Sequence, residues 1–221
     1  QVLDLTNPEA FDLIRTRLLD LLDEYNIAYL KWDHNRDLLD AGAEGRPRVH
    51  EQTLALYRLL QDLKKVHPEL EIESCASGGA RVDLGIADFT DRFHTSDCLD
   101  PTERLVNQRY TGIVVPPELM GAHLTTPEVH STGRHVNVPY SAAVALLGHF
   151  GIEWDLTSAD AETRAVVEEA VKVWKDNRDL VATGTVVHAD LDDPSMDVRG
   201  VVSQDQSEAL VTITQVTTSA Y

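Results

Sequence analysis

The sequence has few of the features that mark secreted or membrane-spanning proteins. Its 221 residues contain two cysteines, too few for a disulfide framework, and no Asn-x-Ser/Thr glycosylation acceptor. No apolar run approaches the roughly 18 residues that a membrane-spanning helix needs. Neither a signal peptide nor a lipidation signal is recognisable. These absences predict a protein of the reducing cytoplasm that does not cross a membrane.

Positive charge is also scarce. Lys and Arg number 19 against 37 Asp and Glu, which gives a formal net charge of -18. A surface this acidic repels phosphate backbones and anionic lipids, which argues against nucleic acid and membrane surfaces as partners. A neutral or cationic small molecule fits this charge better.

Metal and cofactor motifs are missing too. The nine histidines include no His-x-His or His-Glu-x-x-His spacing, and no carboxylate pattern completes a site around His123, His130 and His135. There is no phosphate-binding Gly-rich loop, and Gly78-Gly79 is too short for a dinucleotide fingerprint. The sequence therefore implies neither a metal nor a cofactor.

Hydrophobic periodicity predicts helices that alternate with short strands. The predicted helices cover residues 8–25, 49–66 and 160–180, with two more beginning at Pro101 and Pro139. The predicted strands cover residues 27–32, 70–74, 92–95, 119–123 and 151–155, the first of them as a buried strand. This alternation indicates βαβ units and a parallel sheet.

The number of strands points to part of a larger fold. A (β/α)8 TIM barrel needs eight strands. We therefore predict that residues 1–183 are the C-terminal portion of such a barrel, about strands 4–8. After Gly184 the pattern becomes β-branched and alternating, so residues 184–221 are expected to begin a C-terminal all-β domain, a β-sandwich. An open doubly wound sheet is the alternative, although it normally opens on a strand.

Polar clusters follow several predicted strands, and two of them contribute Asp33 and Asp97. In a barrel the carboxyl ends of all strands face one mouth, which would place both aspartates around the same pocket. Two carboxylates across a pocket are the minimal apparatus for glycoside hydrolysis. Acidic residues are so abundant here that this signal is weak by itself.

Several motifs together give a more specific indication. The segment K-W-D-H-N-R at 31–36 resembles the K-W-D-x-N-R motif of family 36 glycoside hydrolases, the microbial α-galactosidases. Residues 75–85 resemble that family's C-x-[SG]-G-G-x-R-x-D-x-G stretch, and residues 96–104 resemble its S-D-x-x-D-x-x-E-R segment. Residues 120–123 and 132–134 are similar to later barrel signatures. These matches occur in the family's order from about Val2 to Leu156.

The resemblance implies a retaining α-galactosidase with a covalent glycosyl-enzyme intermediate. Asp33 would be the nucleophile and Asp97 the general acid and base. Lys31 lies two residues before Asp33, so both side chains can share one side of an extended strand, where the ammonium keeps the carboxylate ionised. Lys31 would also donate to sugar hydroxyls, and Asn35 would contact the region of the sugar 2-hydroxyl.

Other residues in the motifs have two readings. Gly78 and Gly79 lack Cβ atoms, so their backbone can approach a sugar closely. Cys75 matches a cysteine that lines the family's galactose pocket, but it equally suits a buried small hydrophobe. Trp32 is either a stacking residue near the sugar or a core aromatic. Arg81 is expected either to pair with Asp83 or to contact the sugar.

Residues near Asp97 have mainly structural expectations. We expect Asp100 to cap the helix that begins at Pro101, and Glu103 with Arg104 to brace that helix. His94 stands where many family members carry Trp, which changes the leaving-group side. His34 occupies the variable position of the first motif.

Three functions remain open at this stage. The first is an α-galactosidase that hydrolyses melibiose- or raffinose-type oligosaccharides. The second is an α-N-acetylgalactosaminidase or a galactosyl transferase of the raffinose-synthase type. The third is a sugar-binding fragment without activity. Because residue 1 is Gln, and because the family's acidic pair and tryptophan for galactose recognition cannot be placed here, we expect a piece of a longer enzyme. The resemblance implies that the full-length enzyme is a homo-oligomer.

Overall fold

Short strands alternate with helices along most of the chain, as the periodicity predicts. The computed structural model describes residues 2–39 and 41–219, which divide into two units at the boundary between Phe93 and His94. The α-helices are α1 (Pro8–Glu24), α2 (Val49–Val66), α3 (Leu84–Ala87), α4 (Pro101–Thr111), α5 (Val138–Ala145) and α6 (Ala161–Thr183). The strands are β1 (Tyr29–Asp33), β2 (Gly42–Ala43), β3 (Arg46–Pro47), β4 (Glu71–Cys75), β5 (Arg92–His94), β6 (Met120–Thr125), β7 (His149–Glu153), β8 (Thr185–Ala189), β9 (Met196–Val202) and β10 (Ala209–Gln215).

Parallel pairing in the first unit runs from β1 to β4 and from β4 to β5. Because side chains alternate along a strand and parallel partners share a face, this register separates polar from apolar residues. The polar face carries Tyr29, Lys31, Asp33, Glu71, Glu73, Cys75 and Arg92. The opposite face carries Leu30, Trp32, Ile72, Ser74 and Phe93. Ile72 and Phe93 are fully buried, so the core of this unit lies on the apolar face.

The prediction of a buried first strand is wrong. Tyr29, Lys31 and Asp33 are exposed, and only Leu30 and Trp32 are half-buried. The reason is that β1 is hydrogen-bonded to a neighbour on one side alone within the part of the chain that the structure describes. A strand read as buried from its apolar content needs neighbours on both edges and both faces.

The two long helices of the first unit begin and end as the sequence indicates. Asn7 caps α1 because its side-chain oxygen accepts hydrogen bonds from the N–H groups of Glu9 and Ala10. Helix α2 has the predicted bounds and buries one continuous stripe, formed by Gln52, Ala55, Leu56, Leu59, Leu60 and Leu63. Gln52 also accepts from the Leu5 N–H at 2.8 Å, which ties the segment before α1 to α2.

The core of the second unit lies between the parallel pair β6–β7 and the helices α5 and α6. Its fully buried members include Ala122 and Leu124 of β6, which pack with Ala145 of α5 and Val167 of α6. Trp174 adds an indole N–H that donates to the Gly148 carbonyl at 3.0 Å. Among the described residues, no helix is both long enough and apolar enough to cross a bilayer.

An antiparallel sheet of three strands, in the order β10-β9-β8, follows α6. Leu147, Val181 and Val201 form a buried cluster in this part of the unit. The change of period after Gly184 predicts β-structure in this segment, and the structure has three strands there. The fold is therefore mixed α/β with parallel strand pairing, and α6 ends just before the antiparallel strands begin.

Candidate active site

Asp33 is the last residue of β1, at the carboxyl end of a parallel strand, where catalytic residues of α/β folds concentrate. Lys31 shares its face of the strand. Trp32 alternates to the other face of the strand, but it lines a cleft to which Asp33 and Arg81 also contribute. The structure therefore brings Lys31 to the side of Asp33 and places Trp32 on the opposite face of β1.

Two donors stabilise the Asp33 carboxylate. The Cys75 thiol donates to it across the strand pair, and Asn35 Nδ2 donates to Oδ2 at 2.7 Å. These hydrogen bonds, with a smaller contribution from the Lys31 ammonium, lower the pKa of Asp33. The group is thus kept ionised, as a nucleophile must be.

Asn35 also holds the Gly-rich turn. Its Oδ1 accepts from the Ser77 N–H at 2.8 Å and from the Ser77 hydroxyl at 3.3 Å. Ser77 and Gly78 both have left-handed backbone angles, with φ of 50° and 77°, and the Ala76 N–H donates to the Gly78 carbonyl at 3.0 Å. Gly79 closes the turn through a bridge to Ala76. One amide side chain therefore fixes the carboxylate and the turn together.

Cys75 is the register partner of Asp33 and is 2% exposed. Burial, and after it the hydrogen bond to Asp33, raise the pKa of the thiol to about 11. Such a thiol stays protonated and donates, whereas a reactive cysteine needs a lowered pKa. Cys75 is therefore a buried small side chain, as one of the two readings expected, and it contacts Asp33.

Glu73 is a member of this group that sequence reasoning left without a role. It is the register partner of Lys31, with Oε1 3.3 Å from the Lys31 ammonium, and Oε2 accepts from the Tyr29 hydroxyl. Burial and this contact raise the pKa of Tyr29. The sequence feature that could have revealed this role is the two-residue spacing of Glu73 and Cys75, which places both side chains on one face of β4.

Arg81 contacts His34 and not Asp83 as one reading expected. One guanidinium nitrogen lies 2.8 Å from His34 Nδ1. Asp83 instead caps α3 by accepting from the N–H groups of Gly85 and Ile86. Burial, followed by the charge of Arg81, lowers the pKa of His34. The side chain next to Asp33 is therefore held as a neutral acceptor.

Asp97 belongs to the second unit, in the loop that follows β5. Its side chain is 65% exposed, and Oδ1 lies 3.2 Å from His94 Nε2. His94 is buried, and its ring centroid lies 5.3 Å from that of His123 on β6. The residue that replaces the family's common Trp thus contacts the predicted acid and base directly.

The predicted cap of α4 is confirmed. Asp100 accepts from the Thr102 N–H at 2.9 Å, and it also accepts from Thr132 at 2.7 Å and Arg134 at 2.6 Å. Burial opposes ionisation of this fully buried carboxyl, but the three hydrogen bonds outweigh it and lower the pKa of Asp100. The Thr132-Gly133-Arg134 signature is therefore hydrogen-bonded to Asp100 at the start of α4.

Comparisons with known proteins agree with this arrangement. The family model described as Melibiase matches residues 1–184. An α-galactosidase from Escherichia coli is 43% identical over 220 residues, which are 100% of this chain and 31% of that protein. Among the curated relatives that it matches, the chain spans about 30% of their length.

Solved structures give the same result. A variant of the GH36 α-galactosidase AgaA from Geobacillus stearothermophilus, in complex with raffinose, has a TM-score of 0.91 at 32% identity, with 96% of this chain and 30% of that chain covered. The galactosidase domain of AgaSK, an α-galactosidase-sucrose kinase, has a TM-score of 0.92 at 28% identity, with 98% and 30% covered. The chain belongs to the melibiase family.

Proposed function

We propose that this chain supplies the two catalytic carboxylates of a retaining α-galactosidase. The observation that carries the proposal is Asp33, which lies at a strand end with a lowered pKa and with donors from Cys75 and Asn35. A nucleophilic carboxylate needs this combination of exposure and a stabilised charge. Membership of the family supports the same reaction.

The reaction has two displacement steps. In the first, an Asp33 oxygen bonds to the anomeric carbon while the glycosidic bond breaks, and Asp97 donates its proton to the leaving oxygen. In the second, Asp97 removes a proton from water, the water oxygen bonds to the anomeric carbon, and the bond to Asp33 breaks. Two inversions leave the product with the configuration of the substrate.

The substrate class is terminal α-galactosides of the melibiose and raffinose type. Support comes from AgaA variants, which have been solved in complex with raffinose and with stachyose. In our proposal Lys31 and Asn35 contact the sugar hydroxyls, the Gly78-Gly79 turn lies against the ring, and Arg81 acts through His34. Raffinose and stachyose are uncharged, which suits a chain with a net charge of -18.

The architecture proposed for residues 1–183 is the C-terminal portion of a (β/α)8 barrel. Five parallel strands, β1, β4, β5, β6 and β7, are each followed by a helix, as in barrel repeats. Residues 184–221 would begin a β-sandwich, which the antiparallel order β10-β9-β8 supports. We further propose that the full-length enzyme is a homo-oligomer.

Azide rescue tests the assignment of the carboxylates in the full-length protein. In Asp33→Gly, azide should replace the missing nucleophile and give the β-galactosyl azide through a single inversion. In Asp97→Gly, azide should attack the glycosyl-enzyme and give the α-galactosyl azide through two inversions. The reverse pairing of products would contradict the assignment.

Assays of the wild-type protein separate the alternative activities. Release of nitrophenol from the α-galactoside, compared with the N-acetyl-α-galactosaminide, distinguishes the two hydrolases. Transfer to sucrose in competition with water identifies a galactosyl transferase. Binding of galactose without any turnover by the wild type would indicate a sugar-binding protein.

A further inference from the structure

Arg104 reaches back from the first turn of α4 to the loop that carries Asp97. It is 2% exposed. Its Nε donates to the Cys98 carbonyl at 2.9 Å, and one terminal nitrogen donates to the Ser96 carbonyl at 2.8 Å. These carbonyls belong to the residues immediately before and after Asp97. The guanidinium therefore hydrogen-bonds to the backbone on both sides of the predicted acid and base.

The rest of the guanidinium is fixed to the strand side of the unit. Its other terminal nitrogen donates to the Gly121 carbonyl of β6 at 3.2 Å and to the Thr95 hydroxyl. The nitrogen that contacts Ser96 also lies 3.2 Å from His123 Nδ1. These contacts involve all three nitrogens of the guanidinium and connect the loop to strand β6 as well as to α4.

The middle of the loop, residues 96–98, is not buried, so the hydrogen bonds from Arg104 restrain it where packing does not. Asp97 is mostly exposed, so packing does not set its position. The Cys98 N–H donates to the Ser96 hydroxyl at 3.1 Å, which closes the turn within itself. His94 contacts the carboxylate, and the carbonyls of 96 and 98 accept hydrogen bonds from Arg104.

We propose that Arg104 is a positioning residue for the acid–base step, fixing Asp97 through the two carbonyls that flank it. The catalytic part of this inference rests on the proposed function. A displacement of about 1 Å in a reacting group can reduce the rate about 10²-fold. Lysine cannot substitute, because its single ammonium does not offer the planar, rigid fork that spans two carbonyls.

The test compares Arg104→Lys with Arg109→Lys in the full-length protein. Arg109 lies on the same helix, is partly exposed and pairs with Asp190, so its replacement makes the same chemical change away from the loop. Hydrogen exchange of peptides covering residues 95–99 is the first measurement. We expect faster exchange in Arg104→Lys alone, while both variants still unfold cooperatively. Unchanged exchange would overturn the proposal, whatever the enzyme's substrate is.

Leaving-group dependence is the second measurement. Dinitrophenolate departs without protonation, whereas the sugar leaving group of melibiose needs the acid. We expect kcat/KM, which reports the step in which the leaving group departs, to fall about 10²-fold for melibiose in Arg104→Lys and by less than about tenfold for dinitrophenyl α-galactoside. Equal losses on both substrates would mean general disruption and would overturn the catalytic role. A wild type inactive on both substrates would overturn the proposed function and with it this role, and the exchange result would still decide whether Arg104 holds the loop.

Discussion

Asp33 is kept ionised by donors that can be removed one atom at a time. Cys75→Ala deletes the first of them, so the pKa of Asp33 should rise and the acidic limb of the kcat/KM profile should move to higher pH. At acidic pH we expect about a tenfold loss, because a hydrogen bond to a charged group contributes about 1.5–3 kcal/mol. Cys75→Ser retains a donor and should retain the wild-type limb. Equal profiles for the two variants would contradict the prediction.

Asp100 links the start of α4 to the signature loop, and its contribution is to stability. Asp100→Asn keeps a capping oxygen but loses the charge that faces Arg134, so we expect about 2–3 kcal/mol of destabilisation at neutral pH. Folding lowers the pKa of this group, so its contribution is complete above the ordinary value of 3.8 and is lost as the pH falls through the lower folded value. Denaturant unfolding at neutral and strongly acidic pH measures this, and a pH-independent difference would contradict it.

Sequence reasoning worked best for residues whose chemistry is local. The cap at Asp100 follows from its position before Pro101 and is confirmed. The contact of Arg81 with His34 could not be foreseen, because it joins two segments 47 positions apart. Arg104 was expected to brace its own helix, since nothing in the sequence indicates that a side chain will reach neighbouring carbonyls.

At the scale of elements, the turn after β4 is the part of the candidate site that should tolerate substitution least. Gly78 has a φ of 77°, so an alanine there should cost about 1–2 kcal/mol of stability. Gly45→Ala is a matched control, because Gly45 has a φ of 73° with open space around it and lies in the β2–β3 hairpin. Both variants should lose similar stability in denaturant unfolding. Only Gly78→Ala should also lose activity, and equal activities would remove the turn from the site.

Helices were easier to predict than strands. Helix α2 has the predicted bounds because its apolar residues recur at three- and four-residue steps over five turns. The hairpin strands β2 and β3 have two residues each, which is too short for alternation to be seen. Burial of β1 was misjudged because the apolar content of a strand does not reveal whether both of its edges are paired.

At the scale of the whole molecule, the unpaired side of β1 governs behaviour in solution. Within the described residues this side presents free backbone groups, and unpaired strand edges promote association. The net charge of -18 opposes association by repulsion. We therefore expect the 221-residue chain made by itself to self-associate, and to do so more strongly as salt is added. Sedimentation velocity at low and high salt measures this, and a monodisperse monomer under both conditions would contradict it.

The grip of Arg104 on main-chain carbonyls has a consequence for evolution and engineering. A residue held by its carbonyl leaves its own side chain free to change. Cys98 is such a residue, since its N–H and its carbonyl are both hydrogen-bonded and its thiol lies 3.7 Å from the Ser131 hydroxyl. Natural variation can therefore accumulate at position 98 without displacing its neighbour Asp97, and a saturation library there should leave the proposed acid and base in place.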